Sequence, residues 1–364
     1  MLLSLLFSTA WADVPDWVDV GFMYDTEPML VAADPYINYA HGVELHLDLS
    51  RGFTKPETAW NEFDHWALTV DVQQFSDTGD LGAVMGVVQS PQEIFNPAGV
   101  YLGEFSFKRE AGDGWLYLHV GSMSADMDFV APDVTGLYVH SAFNNQYNIS
   151  MAQFPISPFN SLGGVVGATL SEQLEVKSGL YQLSRIRTDE SLRGWTFDLS
   201  PDNGVVGFLQ LNGTFDREPV NNLPQAGWQV GTFASIDEAQ MDRDTNHGIY
   251  GNLTLDTTEH SVAWVSVNQG LHPSINPVPL WVAGGWISDG KFVNRPEDLV
   301  VTGLSWSQYS FEDLENREIL AEVEYHLMVN DYLTLLPNVQ YFLDTPNPNG
   351  VLPVTAGVGI LVER

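Results

Sequence analysis

The sequence predicts an all-β protein: a transmembrane antiparallel β-barrel of about 16 strands with a long inward-folded constriction loop. Three observations predict it. Segments of about ten residues with alternating apolar and polar side chains recur along most of the chain. No apolar run approaches the roughly 18 residues that a spanning helix needs. The tightest connections fall only after even-numbered segments.

The chain has 364 residues, 44% of them hydrophobic, which is enough for a large core or a large barrel. It has no cysteine, so disulfides and thiolate metal sites are excluded. Lys and Arg total 14 against 47 Asp and Glu, a formal charge of −33. Nucleic acid is thereby excluded as a partner, because its phosphates need a basic footprint. "MLLSLLFSTAWA" is a short apolar run ending on small residues, so residues 1–12 are expected to be a secretory signal peptide, possible truncation at its start included. Residues 13–364 are expected to form one domain, since no linker or low-complexity tract interrupts them.

The strands follow in order. "WVDVGFMYD" opens the series. In "GVELHLDLS" Val43, Leu45, Leu47 and Leu49 alternate with Glu44, His46 and Asp48. "HWALTVDVQQF" sets Trp66, Leu68, Val70 and Val72 against Thr69, Asp71 and Gln73. "GVYLGEFSFK", "WLYLHVGS", "LGGVVGATL", "LEVKSGLYQL", "GVVGFLQLNGTF" and "AGWQVGTFASI" come next. "HGIYGNLTLD", "HSVAWVSVN", "VPLWVAGGWIS" and "DLVVTGLSWS" follow. The pair in "REILAEVEYHLMVNDYLTLLPNVQYFLD" has Ile319, Val323, Tyr325, Leu333 and Leu335 on an apolar face and Glu322, Glu324, His326 and Gln340 on a polar one. "PVTAGVGILV" completes the count. Such strict alternation marks a strand between two different environments, here lipid and a wet lumen.

Short turns are expected at Glu110–Gly114, Ser171–Gln173, Thr257–Glu259 and Val329–Asp331, after strands four, six, ten and fourteen. That parity suits a barrel with both termini in the periplasm, provided that Met123 to Ser161 is one loop. "GLYVHSAF" inside it has the look of a strand. A loop of about forty residues is unusual unless it has a job, and folding inward to narrow the lumen is one. Trp66, Tyr101, Trp115, Tyr117, Trp228, Trp281, Trp286 and Tyr332 near strand ends are expected in interfacial girdles. The soluble alternative is a β-sandwich or propeller, in which the same aromatics would be core.

Three stretches resemble the carbohydrate-selective porin family, typified by OprB. They are "WLYLHVGSMSADMDFVAPDVTGLYVHSAFNNQ", "FPISPFNSLGGVVGATLSEQLEVKSGLYQ", and "RPEDLVVTGLSWS" with "EVEYHLMVNDYLTLLPNVQYFLDTPNPNG". The resemblance implies a porin of a Gram-negative outer membrane that passes carbohydrates and other small hydrophilic solutes by diffusion. It implies no cofactor. Outer-membrane lipid and lipopolysaccharide would surround the barrel, as a monomer or a homotrimer. The alternative function is a secreted all-β carbohydrate-binding or carbohydrate-cleaving protein.

No enzyme constellation is present: the chain lacks Gly-x-Ser-x-Gly, His-Glu-x-x-His and a Walker loop. The nine His residues are scattered, with no metal-site spacing. Asp126 and Asp128 in "DMDF" would suit the carboxylate pair of a glycosidase. Lying two apart on a loop, they are read as structural or solute-facing instead. A solute shedding water at a constriction needs replacement donors and acceptors. Asp126, Asp128, Asn144, Asn145 and Gln146 could supply them from the loop. Glu175, Lys177, Glu322, Glu324 and Gln340 could supply them from the walls. Glu44, Asp48, Asp71, Glu322 and Glu324 together predict a preference for cations.

Overall fold

The structure, a computed structural model, describes residues 17–31, 34–51, 66–79, 81–85, 87–92, 94, 96–111, 115–126, 128–144, 154–183, 193, 195, 204–215, 223–236, 245–273, 275–310, 317–345 and 354–363. Its strands are β1 Val18–Val31, β2 Asp34–Arg51, β3 Trp66–Asp77, β4 Gly99–Ala111, β5 Leu116–Met123, β6 Ser161–Ser171, β7 Leu174–Gln182 and β8 Val205–Thr214. The second half comprises β9 Gly227–Ile236, β10 Thr245–Thr258, β11 Ser261–Gly270, β12 Leu280–Gly290, β13 Arg295–Gln308, β14 Arg317–Asn330, β15 Leu333–Asp344 and β16 Val354–Glu363. Each strand pairs antiparallel with its sequence neighbours, and β1 pairs with β16 from Met23↔Glu363 to Val31↔Thr355. Closure leaves no open sheet edge, the condition that lipid imposes on a spanning sheet. The expected signal peptide lies outside the described residues.

Period-2 side chains decide which face meets which solvent. On β14 Val323 is 54% exposed, while its neighbours Glu322 and Glu324 are each 1% exposed. On β15 Val339, Tyr341 and Leu343 point out, and Asn338, Gln340 and Phe342 point in. The register Glu322↔Gln340 and Glu324↔Asn338 places those inward groups side by side.

The tight turns carry their own chemistry. Ser171 Oγ accepts from the Gln173 N–H at 3.3 Å, Thr258 Oγ1 from His260 at 3.0 Å, and Asn330 Oδ1 from Tyr332 at 2.9 Å. A short polar side chain bonding the backbone two residues on is what reverses the chain so sharply. β12 and β13 join through one 3₁₀ turn, Lys291–Val293, closed by Asn294 at φ 61°, a left-handed position that Asn tolerates. All these turns follow even-numbered strands and share one end of the barrel, the periplasmic one by their brevity.

At the opposite end, the chain between β5 and β6 forms no strand of the barrel among its described residues, 124–126, 128–144 and 154–160. "GLYVHSAF" is not a strand: Asp133–Leu137 is a 3₁₀ turn and Ser141–Asn144 a short helix. This loop and the β3–β4 connection, with its helix α1 at Leu81–Met85, pack against the inner wall. Two apolar clusters result. One joins Leu81, Met85, Tyr138 and Phe143 to Trp264, Trp281, Leu320 and Phe342. The other joins Phe129, Phe154 and Phe159 to Tyr101, Tyr181, Phe208, Phe233 and Tyr250. Each fully buried aromatic contributes on the order of 1.5–3 kcal/mol, so the loops are held as a core is held.

Three expected girdle residues belong to this interior. Tyr101 and Trp281 are fully buried, and Trp281 Nε1 donates to the Ala142 carbonyl at 2.9 Å. Tyr117 lies under the Lys108 ammonium, 5.1 Å from its ring centre. Their parity, not their aromatic character, decides the side. Trp286 does face outward on β12, while Trp115 and Tyr332 are exposed in turns at the turn end of the barrel.

Candidate functional site

The inward side chains divide into two sets. From β8 to β15 they are largely buried beneath the loop, as Phe208, Gln210, Asn252, Trp264, Glu322 and Gln340 are. On β2 to β5 Glu44, His46, Asp48, Glu104, Lys108 and His119 keep partial exposure.

The buried set grips loop backbone. Val130 is held at both ends: its N–H donates to Gln210 Oε1 at 3.0 Å and its carbonyl accepts from Asn252 Nδ2 at 2.8 Å. On β14, Glu324 Oε2 accepts from Val139 N–H at 3.2 Å and Glu322 Oε2 from His140 N–H at 3.3 Å. The Tyr138 hydroxyl donates to the Thr302 carbonyl at 2.9 Å and accepts from Trp264 Nε1 at 2.8 Å. Burial pushes the His140 imidazole down to about 3, so it is neutral, and its Nδ1 accepts from the Ala142 N–H at 2.9 Å. The β3–β4 connection is held likewise. Val88 N–H donates to Glu318 Oε2 at 3.0 Å, Gln89 Nε2 to Tyr309 Oη at 2.9 Å, and Gln340 Nε2 to the Pro91 carbonyl at 2.8 Å. The two inserts also meet each other, through Ser141 N–H and the Ser90 carbonyl at 3.2 Å.

The partly exposed set forms a polar wall. Glu44 Oε2 and Asp71 Oδ2 both accept from Gln73 Nε2, at 3.1 and 2.8 Å. Asp48 Oδ1 accepts from Thr69 Oγ1 at 2.5 Å and its Oδ2 is 3.1 Å from His46 Nε2. His119 bridges wall and loop: Nε2 is 3.2 Å from Glu104 Oε1, and Nδ1 is 3.4 Å from Asp128 Oδ2. The Tyr181 hydroxyl donates to the same Asp128 oxygen at 3.1 Å. Lys177 Nζ lies 5.6 Å from the Phe129 ring centre, and Lys108 pairs with Glu110 at 2.8 Å.

The sequence-predicted residues therefore part into two groups. Asp128, Glu175 and Lys177 converge around Phe129 and Tyr117, with Asp126 in electrostatic range of Tyr181. Glu175 Oε2 accepts from Asn212 Nδ2 at 2.7 Å. Glu322, Glu324 and Gln340 lie across the barrel, buried and bonded to loop or to one another, with Gln340 Nε2 donating to Glu322 Oε1 at 3.1 Å. They were expected in open water. Asn144 closes the Ser141–Asn144 helix; Asn145 and Gln146 lie outside the described residues. Sequence reasoning passed over Glu104, Lys108, His119 and Tyr181, although the alternation of "WLYLHVGS" puts His119 on the polar face. Among the described residues no group of His, Asp and Glu has metal-site geometry.

Comparison with known proteins agrees with this architecture. Residues 43–306 match the model of the carbohydrate-selective porin, OprB family. The high-pH structure of OprB from Pseudomonas putida superposes with a TM-score of 0.76 at 17% identity, covering 95% of this chain and 94% of that one. Its low-pH structure gives 0.58 at 13% identity, covering 95% and 92%. A triple mutant of the Rhodopseudomonas blastica porin gives 0.53 at 11% identity, covering 95% and 100%. No protein of curated function matches the chain in sequence.

Proposed function

We propose that this chain, which belongs to the OprB family of carbohydrate-selective porins and is an outer-membrane porin, narrows its lumen with residues 124–160 and passes neutral saccharides beside β2–β5. Transport is passive and involves no covalent step. The reading rests on one observation above all. The loop is gripped at two places on the inner wall, by Gln210 and Asn252 on β8 and β10 and by Glu322 and Glu324 on β14. A segment fixed at both places narrows the lumen and leaves a passage where the inward side chains remain exposed, along β2–β5.

In that passage Asp126, Asp128, Glu175 and Lys177 stand beside Lys108, Tyr117 and His119. Carboxylates accept hydroxyl hydrogens, ammonium groups donate, and a Tyr face covers the C–H face of a pyranose. Asn144 and Asn145 are assigned to solute contact as well. Glu322, Glu324 and Gln340 act as anchors. A chain of either oligomeric state, monomer or homotrimer, suits this path, since its residues come from one barrel. Lipopolysaccharide is assigned to the outer rim, where Tyr24, Tyr39 and His41 cluster with Tyr24 and Tyr39 hydroxyls 3.0 Å apart. Residues 1–12 are assigned as the export signal.

The test is conductance in planar bilayers with glucose or maltose added. Stepwise openings whose current falls as sugar is added support the reading. Openings indifferent to every sugar leave a general pore and refute the saccharide assignment.

A further inference from the structure

Asn252, one of the two amides that grip Val130, also walls a chamber beneath it. A cavity of about 380 Å³ opens at the turn end of the barrel, between Pro132 and Val134 of the loop and a wall bearing Glu175, Asn212, Gln229 and Thr254. Pockets for small organic ligands begin at about 300 Å³, so one or two sugar rings can enter. Among the described residues the lining holds carboxylates, amides and hydroxyls but no Lys, Arg or His. An anionic ligand would meet Asp133, Glu172 and Glu175, which Lys177, outside the lining, offsets only in part.

The polar groups are set in place before any ligand arrives. Asn212 Oδ1 accepts from Gln210 Nε2 at 2.7 Å, while its Nδ2 donates to Glu175. Gln229 Oε1 accepts from Asn252 Nδ2 at 2.6 Å, which commits its oxygen to the wall and leaves its NH₂ end as a donor. Asn252 Oδ1 in turn accepts from Ser266 Oγ. Donors and acceptors thus alternate along one wall, and no side chain needs to be ordered on binding. A saccharide hydroxyl both donates and accepts, so a neutral polyol can satisfy every group in such a row. Pro132 and Val134 offer an apolar surface for its C–H face.

We propose that this chamber is a second saccharide subsite, on the periplasmic side of the loop, selective for neutral sugars of one or two rings. It rests on the reading that this channel passes saccharides. A solute leaving the narrow passage at Glu175 enters the chamber directly, because Glu175 borders both. Two weak sites in series let a solute leave the first before it reaches bulk water.

The experiment records ion current through single barrels with maltose added to one face at a time. Two kinetically distinct populations of blocking events are expected. The one reached first from the periplasmic face should shorten about 3- to 10-fold in Gln229→Met, the loss of one or two hydrogen bonds. The other population serves as the internal reference. The heat-induced electrophoretic shift of a folded barrel checks that the variant is native, and Thr254→Val repeats the test with an almost isosteric change. A single blocking population, or two populations indifferent to both variants, overturns the subsite while leaving a sugar channel intact. Absence of block from either face refutes the sugar channel itself, and the subsite with it. Equal block of the periplasmic population by glucose 6-phosphate overturns the selectivity for neutral sugars.

Discussion

Asn252 Nδ2, on the inner face of β10, donates to the carbonyl of Val130 at 2.8 Å across 122 positions of sequence. Val130 holds φ 73°, a left-handed conformation that a β-branched residue adopts only under constraint. Gln210 completes the constraint by accepting the Val130 N–H. Two wall amides thus fix a backbone geometry that the loop would abandon alone.

Gln210→Leu should destabilise the barrel by about 1–3 kcal/mol, because it strands a buried N–H and the Tyr250 hydroxyl that donates to the same oxygen at 2.7 Å. The midpoint of the heat-induced electrophoretic shift measures this. Asn252→Leu should act on the same residue, so the double variant should lose less than the sum. Additive losses would show that the two amides do not act as one clamp.

Val323→Arg should cost about 2–4 kcal/mol, the penalty for a cation on a mid-bilayer outward position. A residue facing open water in the lumen would accept the same change cheaply. Glu322 is instead buried and bonded to His140, so Glu322→Arg should free the loop and raise current noise. Refolding yield in detergent and single-channel noise separate the two effects, and a silent Glu322→Arg would contradict the anchor.

Asp128 accepts from Tyr181 and stands beside His119, both on the wall. Lys177 lies over the Phe129 ring, in electrostatic range of Asp128. Asp128→Ala should therefore give a noisier, wider channel through lost anchoring, with Tyr181→Phe reproducing part of it. Unchanged conductance with weakened sugar block would assign Asp128 to solute contact instead.

The proposed passage beside β2–β5 has Glu44, Asp48 and Glu104 partly exposed, with Asp71 buried among them. A confined wall of one sign selects the opposite ion, so a salt gradient should give a cation-selective reversal potential. Glu44→Gln with Asp48→Asn should bring it toward zero, most clearly at low ionic strength, where screening is weak. Anion selectivity in the wild type would remove the wall from the mechanism.

His140 is neutral when folded and titrates near 6.5 when unfolded. Between about 6.5 and 3 the unfolded chain binds a proton that the folded one does not, so stability falls as pH falls. His140→Gln, whose side-chain oxygen can accept the Ala142 N–H in place of Nδ1, should flatten that part of the profile. Thermal midpoints of both proteins from pH 7 to pH 4 give the comparison; parallel slopes would exclude His140 as the source.

Alternation alone determined much of this protein. "REILAEVEYHLMVNDYLTLLPNVQYFLD" places Val323 outward and Glu322 inward because successive strand side chains must take opposite faces, and lipid tolerates only one of the two sets. Ser171, Thr258 and Asn330 mark their turns locally, through bonds two residues long. Strand number and the sides of β14 and β15 were therefore legible residue by residue. What covers the inner face was not. Glu318 meets Val88 across 230 positions, and Glu324 meets Val139 across 185. An inward carboxylate reads the same in sequence whether water or a loop backbone faces it. Only the closed barrel brings those distant segments to one wall, and burial there turns Glu322, Glu324 and Gln340 from open lumen groups into anchors, and Tyr101 and Trp281 from girdle aromatics into core.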